Sequence, residues 1–234
     1  MLTSESLSTL KKLHLPWQPV AVAFLAAPPS GVKRVDRAAP AGCAYWKRAS
    51  EGEAFYTTAD DHQNCPIGAF THGVTLAPAK AAELESLVGT MIQLQYLRSD
   101  EVAGIPRRQQ PLHVAAYAPI DRATFDADVV VFRGNPRQIM LLSEAVRAAG
   151  AFEAGTTMGR PACAMLPRAL DSATSVASVG CIGNRVYTEL ADDELYLAVP
   201  GTALKATLDK LEAILVANAE LETFHRQRAE TLAG

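Results

Sequence analysis

The chain has 234 residues and a mass of 25.0 kDa, enough for one sizeable core or for two small lobes sharing one. Its 49% hydrophobic and 20% charged residues are the ordinary globular mix and exclude a disordered or fibrous chain. A net charge of −3, with the 22 Lys and Arg scattered and densest only at Lys33-Arg34 and Arg107-Arg108, speaks against nucleic acid as a partner.

Met1 to Ser6 lack the basic and apolar regions of a signal peptide, and no apolar run approaches the ~20 residues needed to cross a bilayer. A cytoplasmic protein without membrane contact is expected. In that compartment the four cysteines are expected to be reduced, and so buried or bound to something, rather than paired as disulfides.

A helix is expected from Ser4 to Leu15, where Leu7, Leu10 and Leu13 follow a Thr3/Ser4 cap and Pro16 ends it. Val20 to Leu25 reads as a buried strand, Pro40 to Gly52 as a short helix carrying Cys43, and Phe55 to Thr58 as a strand. Pro66 directly after Cys65 puts that cysteine at a helix entrance, where backbone amides favour a thiolate. Ala79 to Leu97 reads as an amphipathic helix through Leu84, Leu87, Val88, Met91 and Leu94.

Strands follow at His113 to Tyr117 and Val129 to Phe132, then a helix from Pro136 to Ala149 stopped by Gly150. Pro161 to Leu170 is expected to be a short helix carrying Cys163, Ser175 to Ser178 a strand, and Gly180 to Gly183 a turn bringing backbone close to a ligand. A strand at Glu194 to Val199 and a long helix to about Arg228 close the chain; the stripe of Leu204, Leu208, Leu211 and Leu215 is core packing or a homo-oligomer surface. The alternation predicts an α/β fold with a mixed sheet flanked by helices.

The two halves resemble each other. Cys43-Ala44 followed by Arg48-Ala49 recurs as Cys163-Ala164 followed by Arg168-Ala169, and Cys65 with Gly68 recurs as Cys181 with Gly183. Offsets of 108 between Phe24 and Phe132, 120 between the first cysteines and 116 between the second differ only by loop-sized insertions. The pattern predicts one compact unit over 1–234 made of duplicated halves, 16–110 and 111–234, that share a core.

If the thiols converge, Cys43, Cys65, Cys163 and Cys181 form a soft ligand set for an iron–sulfur cluster, with zinc as the alternative. Two other readings stand beside this one. Cys65 with His62 three residues before it suits a thiol-dependent enzyme. The glycine turn at Gly180 and Gly183, with Asn184 and Arg185 and with Gly68 as its counterpart in the first half, suits a non-catalytic binder of an anionic small molecule or tetrapyrrole.

The stretches His62 to Ala69, Gly159 to Ala164 and Ser178 to Thr188, with Asp192 to Tyr196 and Val199 to Gly201, resemble the uncharacterised bacterial and archaeal family catalogued as domain of unknown function one-six-nine, also labelled ArCR. The resemblance runs from about Trp17 to the final helix. Its cysteine-bearing stretches are the recognisable features, and it implies no assigned activity.

Overall fold

Runs of small and β-branched residues build the middle of the sheet, because a strand covered on both faces has no polar side to keep in water. In the computed structural model, which describes residues 3–153 and 157–233, these are β1 (Val20–Leu25), β4 (Val114–Pro119), β5 (Val129–Gly134) and β8 (Leu195–Pro200). Shorter strands complete the edges: β2 (Lys33–Arg34), β3 (Phe55–Thr58), β6 (Thr157–Met158) and β7 (Val176–Ser178). The order across the eight-stranded sheet is β2-β3-β4-β1-β5-β8-β7-β6.

Outward from the central antiparallel β1–β5 pair, the strands run 1, 4, 3, 2 on one side and 5, 8, 7, 6 on the other. Each outermost pair, β2 with β3 and β6 with β7, is parallel, and every other pairing is antiparallel.

The period of two along each strand divides the core in two. Val129 and Val131 enter one cluster with Val20, Val22, Ala115 and Tyr117. That cluster is covered by α2 (Ala44–Ser50), α3 (Pro66–Thr71) and α6 (Met165–Ser172), through Tyr45, Trp46, Ala69, Met165 and Leu166. Val130 and Phe132 enter the opposite cluster with Leu197 and Val199, under α1 (Ser4–Lys11), α5 (Pro136–Ala148) and α8 (Gly201–Ala233). Each fully buried side chain of this kind contributes roughly 1.5–3 kcal/mol.

Several expectations shift. The first helix stops at Lys11, and His14 takes a positive φ of 49°. The stretch after Gly180 is not a bare turn: α7 (Ile182–Thr188) begins there, with Cys181 as its cap. Gly180 itself sits at φ 76°, and a Cβ there would meet Leu190 at 2.7 Å, so glycine is required at this position. The strands β2 and β6, two residues each, had no periodicity to reveal them. The helix expected at Ala79–Leu97 is α4 (Pro78–Gln93), and none of its residues is fully buried.

At the start of α8, a Cβ on Gly201 would lie 1.6 Å from the Ala127 carbonyl oxygen. Gly201→Ala is expected to destabilise the protein by at least ~3 kcal/mol, read as a drop in the denaturant midpoint. Gly89→Ala, in open space on α4, is expected to be neutral or to stabilise by up to ~1 kcal/mol.

Candidate functional site

All four cysteines line one cavity of about 650 Å³ on the α2, α3 and α6 side of the sheet. Each comes from a separate segment at or just before a helix start. Cys43 precedes α2, Cys65 caps α3, Cys163 lies in the single turn Ala162–Ala164 leading into α6, and Cys181 caps α7. Cys43 and Cys163 are buried, whereas Cys65 and Cys181 are partly exposed.

Close backbone approach makes this convergence feasible. A Cβ on Gly68 would meet Cys65 Sγ at 3.4 Å and the Gly42 nitrogen at 3.7 Å; a Cβ on Gly42 would meet His62 Nδ1 at 3.4 Å. The Gly68 amide donates to Cys65 Sγ at 3.4 Å, the Thr71 hydroxyl to Cys163 Sγ at 3.2 Å, and the Asn64 amide to the Ala39 carbonyl at 3.0 Å. This last bond ties the segment before Cys43 to the α3 entrance.

Burial dominates the electrostatics. It pushes the Cys43 thiol up to about 12, Cys163 well above the usual thiol range and Cys65 upward, the Gly68 amide only partly opposing the last. Cys43, Cys65 and Cys181 each contribute to the rise at Cys163, so a charge on any one thiol is felt at others. The helix-entrance effect expected to favour a Cys65 thiolate is therefore outweighed by burial. Asn184, only 2% exposed, opposes the rise at Cys43 and Tyr196, yet both of its amide atoms lack a hydrogen-bond partner. Its approach to Cys43 falls short of a bond.

His62 is not hydrogen-bonded to Cys65. Thr57 Oγ1 stands 2.8 Å from His62 Nε2 and 3.3 Å from the Ala115 carbonyl oxygen, and His62 Nδ1 has no hydrogen-bond partner. His72 stacks on His62 with ring centroids 5.5 Å apart, its Nδ1 donating to the Gly68 carbonyl at 2.7 Å and its Nε2 bare. Burial lowers the pKa of both rings, His72 to about 4.

The remaining expected residues divide. Gly183 and Asn184 line the cavity with the cysteines and Gly68, while Arg185 is engaged elsewhere. Its guanidinium donates to the Val179 and Ala191 carbonyls at 2.7 and 3.1 Å and lies 3.6 Å from Asp192. Arg48 and Arg168, the arginines of the repeated motif, form ion pairs with Glu53 and Asp36 and with Glu153.

Leu84, Leu87, Val88 and Met91 of α4, which no cysteine or glycine motif contains, also line the cavity, as does Arg160 of the Gly159–Ala164 stretch. One signal pointed to them. Cys65 and Val114 are 49 residues apart, whereas Cys181 and Leu195 are 14 apart, and α4 lies in the longer of these two links. Among the described residues, no group of three or more His, Cys, Asp or Glu side chains is placed to hold a metal ion as it stands, and no helix is long and apolar enough to cross a membrane.

A mixed α/β sheet with four cysteines around one cavity sets the class. The chain belongs to the DUF169 family, described as uncharacterised ArCR, whose family model matches residues 10–210. It is also similar to the uncharacterized protein MJ0308 of Methanocaldococcus jannaschii, 27% identical over 170 residues that span 69% of this chain and 71% of that protein. No solved structure matches the chain.

The buried neutral histidines set a pH dependence. Because the folded pKa of His72 lies near 4 against an unfolded value near 6.5, the unfolded chain binds the extra proton and stability falls as pH drops from about 6.5 towards 4. For His72 the loss approaches ~3 kcal/mol at the acid end. Denaturant midpoints across this range are expected to fall less steeply in His72→Phe than in the wild type, after correction for the offset at pH 7.5.

Proposed function

We propose that the cavity binds an iron–sulfur cluster through Cys43, Cys65, Cys163 and Cys181. The convergence of these four cysteines, from four separate segments, on one cavity carries the reading. Soft thiolate donors suit such a cluster. Around a four-iron cluster each cysteine sulfur would meet a different iron, so the ligands would stand farther apart than around one zinc ion, where a ~2.3 Å bond draws all four together. The four thiols border a common space, and among the described residues no three of them stand grouped around a single ion. The unpaired Asn184 amide beside Cys43 and the Thr71 hydroxyl on Cys163 are donors suited to cluster or cysteine sulfur. When bound, the cluster supplies one-electron redox chemistry; the chain's residues supply ligands, hydrogen bonds and shelter from water.

The reading includes an internal duplication. In its support, the strands occupy mirrored places about the β1–β5 pair, and the order β2, Cys43, α2, β3, Cys65, α3 recurs as β6, Cys163, α6, β7, Cys181, α7. The expected division at 110/111 moves to the link between β4 and β5, because β4 stands in the first half of the sheet order. Each half then contributes one buried cysteine and one at the cavity rim.

Thiol catalysis is less well supported, since Cys65 is pushed up rather than down in pKa and His62 does not reach it. An anion at Arg185 would compete with two carbonyls and Asp192.

Anaerobic purification with iron, sulfide and zinc analysis tests the proposal. Expected are iron and labile sulfide in similar amounts with visible absorbance, both lost in Cys65→Ser and Cys181→Ser. Colourless protein after anaerobic reconstitution, or zinc without sulfide, overturns it.

A second expectation separates stability from binding. Asn184→Leu removes buried polar atoms without partners, so the metal-free protein is expected to be no less stable and to gain up to ~1–3 kcal/mol, while cluster loss to chelator quickens about tenfold or more. Calorimetry and a chelation time course give the two readings.

A further inference from the structure

We infer that the outer part of the same cavity is a binding site for a neutral, apolar small organic molecule, held between α4 and the cysteine floor. On α4, Leu84, Leu87, Val88 and Met91 recur at the spacing of one helix face, and all four line the cavity instead of entering either core cluster. No residue of the helix is fully buried, and Leu87 remains 40% exposed. An apolar stripe left in that state gains free energy from whatever covers it, at roughly 25 cal/mol per Å².

The volume and charge of the cavity select the occupant. About 650 Å³ lies within the ~300–1,000 Å³ of sites that enclose small organic molecules and far exceeds what one ion fills. Arg160 is the one charged residue lining the cavity among those described, and it is already engaged. Its Nη2 donates to Glu101 Oε2 at 3.0 Å, and its guanidinium lies 4.8 Å from the centre of the Tyr96 ring. That lone charge is balanced by Glu101, and the rest of the described lining carries none, so the walls favour a neutral, apolar guest.

The site is built asymmetrically. α4 lies in the segment between α3 and β4, which has no helical counterpart in the short link between α7 and β8. The apolar cover thus lies in the longer link only, over thiols supplied by four separate segments. This inference goes beyond the cluster reading and does not require it.

Titration of the full chain with the neutral dye Nile red tests the site. Saturable, blue-shifted fluorescence at one dye per chain is expected. Met91→Glu, which puts a carboxylate on the cavity wall, is expected to weaken binding at least tenfold, whereas Leu221→Glu on the exposed part of α8 leaves it unchanged. Should Met91→Glu fail to fold by circular dichroism, Val88→Trp, which fills the space without adding charge, is expected to give the same loss. Non-saturable binding, equal weakening by Leu221→Glu, or undiminished binding in the folded cavity variant overturns the inference. Dye binding by protein that stays colourless and metal-free after anaerobic reconstitution sinks the cluster alone; iron and sulfide without saturable dye binding sink the apolar site alone.

Discussion

The antiparallel pairing of β1 with β5 is the constraint on which the other parts depend. It rests on three residue pairs, Val20 with Val131, Ala21 with Val130 and Val22 with Val129, and it is the seam between the two sets of four strands. A slip of one residue would send Val129 and Val131 to the face now held by Val130 and Phe132. The two core clusters would then mix, and the helix starts bearing Cys43 and Cys65 would lose their position opposite those bearing Cys163 and Cys181. That all four thiols share a cavity is therefore a property of sheet register before it is one of loops.

Burial gives the cavity floor its second property, which is neutrality. Three of the thiols are pushed towards the protonated form, and the two histidines behind Gly42 towards the uncharged one. Such a floor resists isolated negative charge. Thiolates become favourable there only beside compensating positive charge, so the same apolar packing that silences the cysteines as free nucleophiles makes them responsive to metal.

Most of the strands and long helices were legible because their apolar periods are strong, as in Val129 to Phe132 and the helix from Pro136. The recurring cysteine motif was legible because Cys43-Ala44 with Arg48-Ala49 and Cys163-Ala164 with Arg168-Ala169 share one spacing. The α7 helix was not, since Gly180, Gly183 and Asn184 carry the local signature of a turn. Its helical form is supported by tertiary contacts, the Tyr196 hydroxyl donating to Thr188 Oγ1 at 2.8 Å and Arg133 to the Thr188 carbonyl at 2.9 Å. The role of α4 was hidden for a different reason: an apolar stripe facing a cavity has the same spacing as one facing a core. The pairing of His62 with Thr57, and not with Cys65, depends on a fold contact five residues back in the chain that no motif encodes.

The contact between Arg160 and Glu101 makes one point of the cavity wall sensitive to salt. Its side chains are 39% and 42% exposed, and pairs of that kind are worth at most about 1 kcal/mol, a bias of roughly fivefold between joined and parted states. Mobile ions screen it further, over a Debye length of about 8 Å at physiological strength. The rest of the enclosure is apolar and insensitive to ionic strength. Salt therefore weakens this one contact at the cavity wall and leaves the apolar lining beside it unchanged.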